Sequence, residues 1–140
     1  MNDEPRRMAL DVVNPPELGK PHGFAHGLLA PGGGRVLFVA GQTGTDSEGR
    51  VAPGGFPGQF ETALSRVLSV VRAAGGRPEH IARMTVYVTS MQQYLESRPA
   101  LGSIWQRTVG AHYPAMALLQ VTALVDDGAL VEIDATAVLP

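Results

Sequence analysis

The alternation of apolar and polar residues is strictest at the end of the chain. From Leu130 to Leu139, Val131, Ile133, Ala135, Ala137 and Leu139 alternate with Glu132, Asp134, Thr136 and Val138. A period of two places the first set on one face of a strand and both carboxylates on the other. Met116–Leu124 is apolar at nearly every position, which predicts a strand covered on both faces. Asp126–Asp127–Gly128 between the two runs supplies turn chemistry. A carboxylate flanked by so much apolar surface is not expected to meet bulk water on both sides, so Glu132 becomes the leading functional residue.

Upstream, Ala9–Val13 reads as a short strand broken by Asn14–Pro15–Pro16. Pro21–Leu29 reads as a loop or short strand carrying His22 and His26. Gly32–Gly33–Gly34 turns the chain into a β-rich run, Arg35–Ala40, that ends at Gly41–Gln42. Thr43–Val51 reads as a polar turn. From Gln59 to Ala74, Phe60, Ala63, Leu64, Val67, Leu68, Val71 and Ala74 recur at helical spacing, and Gly75–Gly76 supplies a left-handed cap. Ile81–Thr89 alternates again, with Met84, Val86 and Val88 opposite Thr85, Tyr87 and Thr89. A second helix is predicted over Tyr94–Thr108, with Leu101, Ile104, Trp105 and Val109 on its buried side. Pro99 argues that its regular part starts near Arg98, or that it kinks there.

The order β-β-β-α-β-α-β-β predicts an α+β two-layer sandwich, one mixed six-stranded sheet with both helices on one face. The other face carries Val86 or Tyr87, Leu118 or Leu119, and the Glu132 stripe. An uncovered, largely apolar face implies a homo-oligomer with polar pockets where subunits meet.

Composition narrows the partners. The 140 residues suit one domain, 1–140, with residues 1–8 expected as a flexible tail. Met1–Ala9 has no apolar core of a secretory signal, and no apolar stretch approaches the ~20 residues of a membrane span. The absence of cysteine excludes disulfides, thiolate metal sites and a Cys nucleophile, and suits a cytoplasmic setting. Net charge is −2, and the eleven basic residues are scattered. Nucleic acid is therefore not an expected partner.

Other motifs fall short of chemistry. Glu132 and Asp134 point the same way about 7 Å apart, a spacing open to acid–base work, although Asp134 also reads as an ordinary strand residue. His22 and His26 share no helical face, because Pro21, Gly23 and Gly27 deny them a helix. No further ligand completes a metal site. The triple glycine opens no helix and so cannot cradle phosphate. No serine sits in a G-x-S-x-G setting.

Taken together, several segments resemble the RidA family (YjgF/YER057c/UK114, also labelled endoribonuclease L-PSP). They are Gly23–Phe24–Ala25–His26, Leu37–Phe38–Val39–Ala40–Gly41–Gln42 with Gly49 and Val51, Gln59, Ala74–Gly75, Thr85–Thr89, Tyr94, Tyr113–Pro114–Ala115 and Leu130–Ile133. The resemblance covers residues 10–139. It implies a chorismate-mutase-like fold assembled as a homotrimer, with clefts between subunits and no cofactor. Many members hydrolyse enamines and imines, such as 2-aminoacrylate, to a keto acid and ammonia. An arginine directly after Pro-Ala binds the substrate carboxylate, and the last-strand glutamate activates water. A loop tyrosine and a carbonyl near the Gly-Gln turn help to hold the ligand. Glu132 is thereby the implied catalytic residue, with Phe24, His26, Ala40, Gly41, Gln42, Tyr94, Met116 and Leu118 as the implied small-molecule contacts.

The chain departs from that pattern at two positions: Met116 stands where the arginine would be, and Phe24 where the tyrosine would be. Loss of a charge-assisted hydrogen bond should weaken binding of a small anionic imine by about 10- to 150-fold. Methionine also leaves the pocket floor apolar and adaptable. Two readings follow: a hydrolase for imines or enamines less anionic than 2-aminoacrylate, or a non-catalytic, ligand-binding or regulatory trimer. Ribonuclease activity rests on the family label alone, and the acidic balance weighs against it.

Overall fold

A computed structural model describes residues 9–140; the tail expected over residues 1–8 lies outside them. The elements are β1 (Asp11–Val13), β2 (Gly27–Leu29), β3 (Arg35–Thr43), α1 (Gly55–Ala73), β4 (Ile81–Val88), α2 (Met91–Thr108), β5 (Ala115–Gln120) and β6 (Val131–Leu139), with single 3-10 turns at Pro16–Leu18 and Pro78–His80. The predicted order is realised as an α+β fold. The six strands divide, however, into a β1–β2 pair and a four-stranded sheet in the order β3-β6-β4-β5. Only β4 and β5 run parallel within that sheet. β1 and β2 are three residues each, too short to extend the main sheet. The segment before β2 touches it through a single bridge, Ala25 to Ala115.

The last strand follows its alternation closely. Val131, Ile133, Ala135, Ala137 and Leu139 are buried, while Glu132, Asp134 and Thr136 are half-buried on the other face. Register extends this division across the sheet. Met116, Met84, Ala135 and Val39 form one cross-strand row, and Leu118, Val86 and Ile133 another. Both rows face the helices. Leu119, Tyr87 and Glu132 form a row on the opposite, uncovered face, as do Ala117, Thr85 and Asp134. Side chains directly opposite on neighbouring strands share a face, which assigns Val86 and Leu118 to the core side and Tyr87 and Leu119 to the open side.

Helix α1 packs its apolar stripe on β3 and β6. It ends as the glycines predict, with Gly75 at φ 84° and Gly76 N–H donating to the Val71 carbonyl at 2.9 Å. Helix α2 differs from expectation. It begins at Met91, with the Ser90 hydroxyl accepting from Gln93 N–H at 3.2 Å, and Pro99 lies inside it. The carbonyl that Pro99 cannot serve belongs to Leu95, an exposed residue. β5 also differs. It ends at Gln120 and lies at the sheet edge with Ala117, Leu119 and Gln120 exposed, so its apolar run does not mark a strand covered on both faces.

Helix α2 is held mainly by α1 and stands off the sheet. The gap between α2 and the β4–β5 edge is open.

Candidate functional site

The residues singled out by sequence fall on two sides of the sheet. On the open face, the carboxylate of Glu132 lies against the backbone of Gly41. A Cβ added at Gly41 would sit 2.8 Å from Glu132 Cδ and 2.9 Å from Oε2. That closeness arises from a β-bulge: Val39 pairs with Ala135 and Gln42 with Ile133, so Ala40 and Gly41 together oppose Asp134. The bulge turns an exposed backbone stretch, Ala40–Gly41, toward the acid. On Glu132's other flank is its cross-strand partner Tyr87. The Tyr87 hydroxyl donates to Asp134 Oδ2 at 3.0 Å. That bond pushes the Tyr87 pKa above the usual phenol value, with desolvation and the nearby charge of Asp134 acting the same way.

Gln42 has a different place. Its amide N–H donates to the Ala40 carbonyl at 3.1 Å, and its Oε1 accepts from Arg66 Nε at 3.0 Å. Arg66 also donates to the Thr45 carbonyl at 3.0 Å. Gln42 therefore braces the bulge from the helix side. Arg66 carried no motif in the sequence; its position on the α1 turn facing Gln42 emerges only from the packing.

On the helix side, a cavity of about 300 Å³ opens between α2 and the β4–β5 edge. Met116 and Leu118 of β5 and Tyr94 of α2 line it, as the sequence grouped them. Phe60, Val86, Leu101 and Trp105 complete its apolar wall. Trp105 stacks on Tyr113, with centroids 5.9 Å apart and planes 3° from parallel, and its indole N–H donates to the His112 carbonyl at 3.0 Å. From the loop before β2, His22 and Gly23 reach the cavity. Phe24 and His26 do not line it. They meet each other edge to face at 5.2 Å, and the His26 ring donates from Nε2 to the Gly19 carbonyl at 3.0 Å.

One chain thus carries an acid on the open face and an apolar cavity on the other. Glu132 and Met116 sit in rows of opposite orientation, so no single ligand bridges them within one copy. Among the described residues, no cluster of three or more His, Asp or Glu side chains could hold a metal, and no helix is long and apolar enough to cross a membrane.

The family model for endoribonuclease L-PSP matches residues 23–139. The chain belongs to that family. It is the RidA group that the sequence motifs resemble. A goat (Capra hircus) 2-iminobutanoate/2-iminopropanoate deaminase is 30% identical over 105 residues, covering 74% of this chain and 73% of the relative. Among solved structures, the Rid-family protein YyfB of Yersinia pestis, of unknown function, superposes with TM-score 0.82 at 31% identity, covering 94% of this chain and all of that one. E. coli TdcF, solved with bound serine, gives TM-score 0.67 at 26% identity, covering 87% and 92% of the two chains.

Proposed function

We propose that this member of the RidA family is a cofactor-independent hydrolase of imines or enamines, acting at clefts between the subunits of a homotrimer. Glu132 carries the reading. It is a half-buried carboxylate on the uncovered sheet face, pressed against the exposed Gly41 backbone. In the proposed reaction, Glu132 takes a proton from water as the oxygen adds to the C=N carbon. It passes that proton to the imine nitrogen to complete the carbinolamine, then takes the carbinolamine hydroxyl proton and delivers it to the amino nitrogen as the C–N bond breaks, leaving a carbonyl compound and ammonia. General acid–base work of this kind supplies roughly 10²- to 10⁴-fold. The relative named a 2-iminobutanoate/2-iminopropanoate deaminase supports this class of substrate. The setting proposed is cytoplasmic, in keeping with a chain without cysteine.

The placement of the acid and the cavity on opposite sides of the sheet supports an inter-subunit cleft. In the proposed assembly the open face of one copy meets the Met116 side of the next, so that Glu132, Ala40 and Gly41 come from one chain and Met116, Leu118 and Tyr94 from its neighbour. Phe24 and His26 flank the second set on the loop beside β5, and Gln42 holds the bulge in shape. With Met116 in the arginine position, small anionic imines lose their main anchor, and the proposed substrates are larger or less charged. Ammonia release from 2-aminoacrylate and from bulkier imines, compared between wild type and Glu132→Gln, tests the reading. A loss of about 100-fold or more on the preferred imine is expected; equal rates would remove Glu132 from the mechanism.

Met116 itself favours a second reading, a ligand-binding trimer without turnover. Met116→Arg separates the two. If it creates deaminase activity where wild type has none, the natural protein is a binder or an enzyme for another substrate.

A further inference from the structure

We infer that the cavity under α2 binds an organic carboxylate with an aromatic or branched apolar body, and that Arg98 supplies the cation that Met116 does not. The inference deepens the reading above, because Met116 and Leu118 form part of the same cavity. It concerns binding, however, and stands or falls without turnover.

Arg98 projects from α2 into the lining of the cavity. Three arginines are ion-paired elsewhere: Arg50 to Asp46 and Glu48, Arg77 to Glu79, and Arg107 to Glu61. Arg66 is held by Gln42 and Thr45. Arg98 enters none of these pairs among the described residues, so its guanidinium is available to a ligand. Among the described residues of the same chain no carboxylate lines the cavity, and His22 and Gln106 add polar groups to the wall.

A second observation concerns shape. Tyr94, Arg98, Leu101, Gly102, Trp105 and Gln106 all face the cavity, a stripe at spacings of four, three, one, three and one residues. Such a stripe normally packs on a core, yet here it borders open volume. Gly102 sits within it in the middle of a helix, where glycine is unfavourable relative to alanine. A Cβ there would meet nothing within 4 Å. Packing does not require the glycine, and its small size keeps the cavity wide. At about 300 Å³, the space suits a drug-sized pocket at the lower limit, far more than a three-carbon imine fills. Buried Phe60, Leu101 and Trp105 form the apolar interior, and exposed Arg98 stands where a carboxylate would still touch water.

The chain has one tryptophan, Trp105, and it lines the cavity, so its fluorescence reports occupancy. Phenylacetate, its uncharged isostere phenylacetamide, and acetate are titrated against the full-length protein. Phenylacetate should bind saturably and about tenfold more tightly than phenylacetamide, the low end of a charge-assisted contact because Arg98 is exposed. Acetate, lacking the body, should give no saturable change. Arg98→Gln should erase the tenfold preference while still binding phenylacetamide, and Arg98→Lys should restore part of it. Gly102→Leu should abolish binding of both aromatic probes. Equal affinities for phenylacetate and phenylacetamide in wild type, or a preference that survives Arg98→Gln, would overturn the inference. If charge-dependent binding holds but no imine is hydrolysed, the proposed activity fails and this assignment stands. If imines are hydrolysed with KM values indifferent to substrate charge and to Arg98→Gln, this assignment fails and the activity stands.

Discussion

At the scale of single residues, three contacts decide what the open face can do. Gly41 leaves room for the Glu132 carboxylate and nothing else, since a Cβ would approach within 2.8 Å of Cδ. The obstructing atoms are the far end of a flexible side chain, so Gly41→Ala should fold normally and displace the acid. The expected result is a melting temperature close to wild type with imine hydrolysis reduced at least tenfold. Tyr87 offers a titration. Its hydrogen bond to Asp134 favours the neutral phenol, so the stability it lends is present below the ordinary tyrosine pKa and is lost as pH rises through the higher folded value. Asp134→Asn should bring the phenolate absorbance of Tyr87 in at lower pH, with Tyr87→Phe removing that component to identify it. Gln59, buried in α1, accepts from Leu130 N–H at 2.8 Å and donates to the Gly128 carbonyl at 3.1 Å. Gln59→Leu would strand both backbone groups and should cost about 1–3 kcal/mol each, read by denaturant unfolding. The same pair of bonds fixes where β6 starts, and so where Glu132 falls.

At the scale of elements, the periodicities that carried core burial were legible and those that met open space were not. The alternation of β6 and the stripe of α1 both face packed neighbours, so their patterns and burial agree. In β5 the unbroken apolar run resembles a buried strand, yet Met116 and Leu118 face the cavity and Leu119 the uncovered face, at 40% exposure. Both faces are apolar for reasons other than enclosure within one chain. Pro99 left the start of α2 open in the sequence, between Tyr94 and Arg98, whereas the helix begins at Met91 and runs through the proline. Arg98, next to the proline, belongs to none of the segments that carry the family resemblance. That Glu132, Gly41, Met116, Leu118 and Tyr94 belong to the family's motifs was legible. Their division between two faces was not, because it depends on a two-residue bulge and on sheet order. Gly102 gives the element-scale prediction: Gly102→Ala should stabilise the fold by about 0.5–1 kcal/mol, since the helix gains propensity and the new methyl group meets open volume.

At the scale of the molecule, the uncovered sheet face is the feature that one copy leaves unresolved. Phe38 is 79% exposed and Val36 54%, beside the half-buried acids of β6. An apolar surface of this kind is one that a contact between copies would cover. In the proposed trimer each copy lends its acid to one cleft and its cavity to another, so Phe38→Lys should yield monomers by light scattering and lose hydrolysis together with assembly. The arrangement also makes the two half-sites separable by mutation. Glu132→Gln spoils only the acid side and Met116→Trp only the cavity side, and each variant alone should be inactive on the preferred imine. The decisive measurement is ammonia release from trimers reassembled from a mixture of these two variants. Recovered activity in the mixture is predicted, because some clefts then pair an intact Glu132 with an intact Met116 from different chains. A mixture as inactive as its two components would contradict a site shared between subunits.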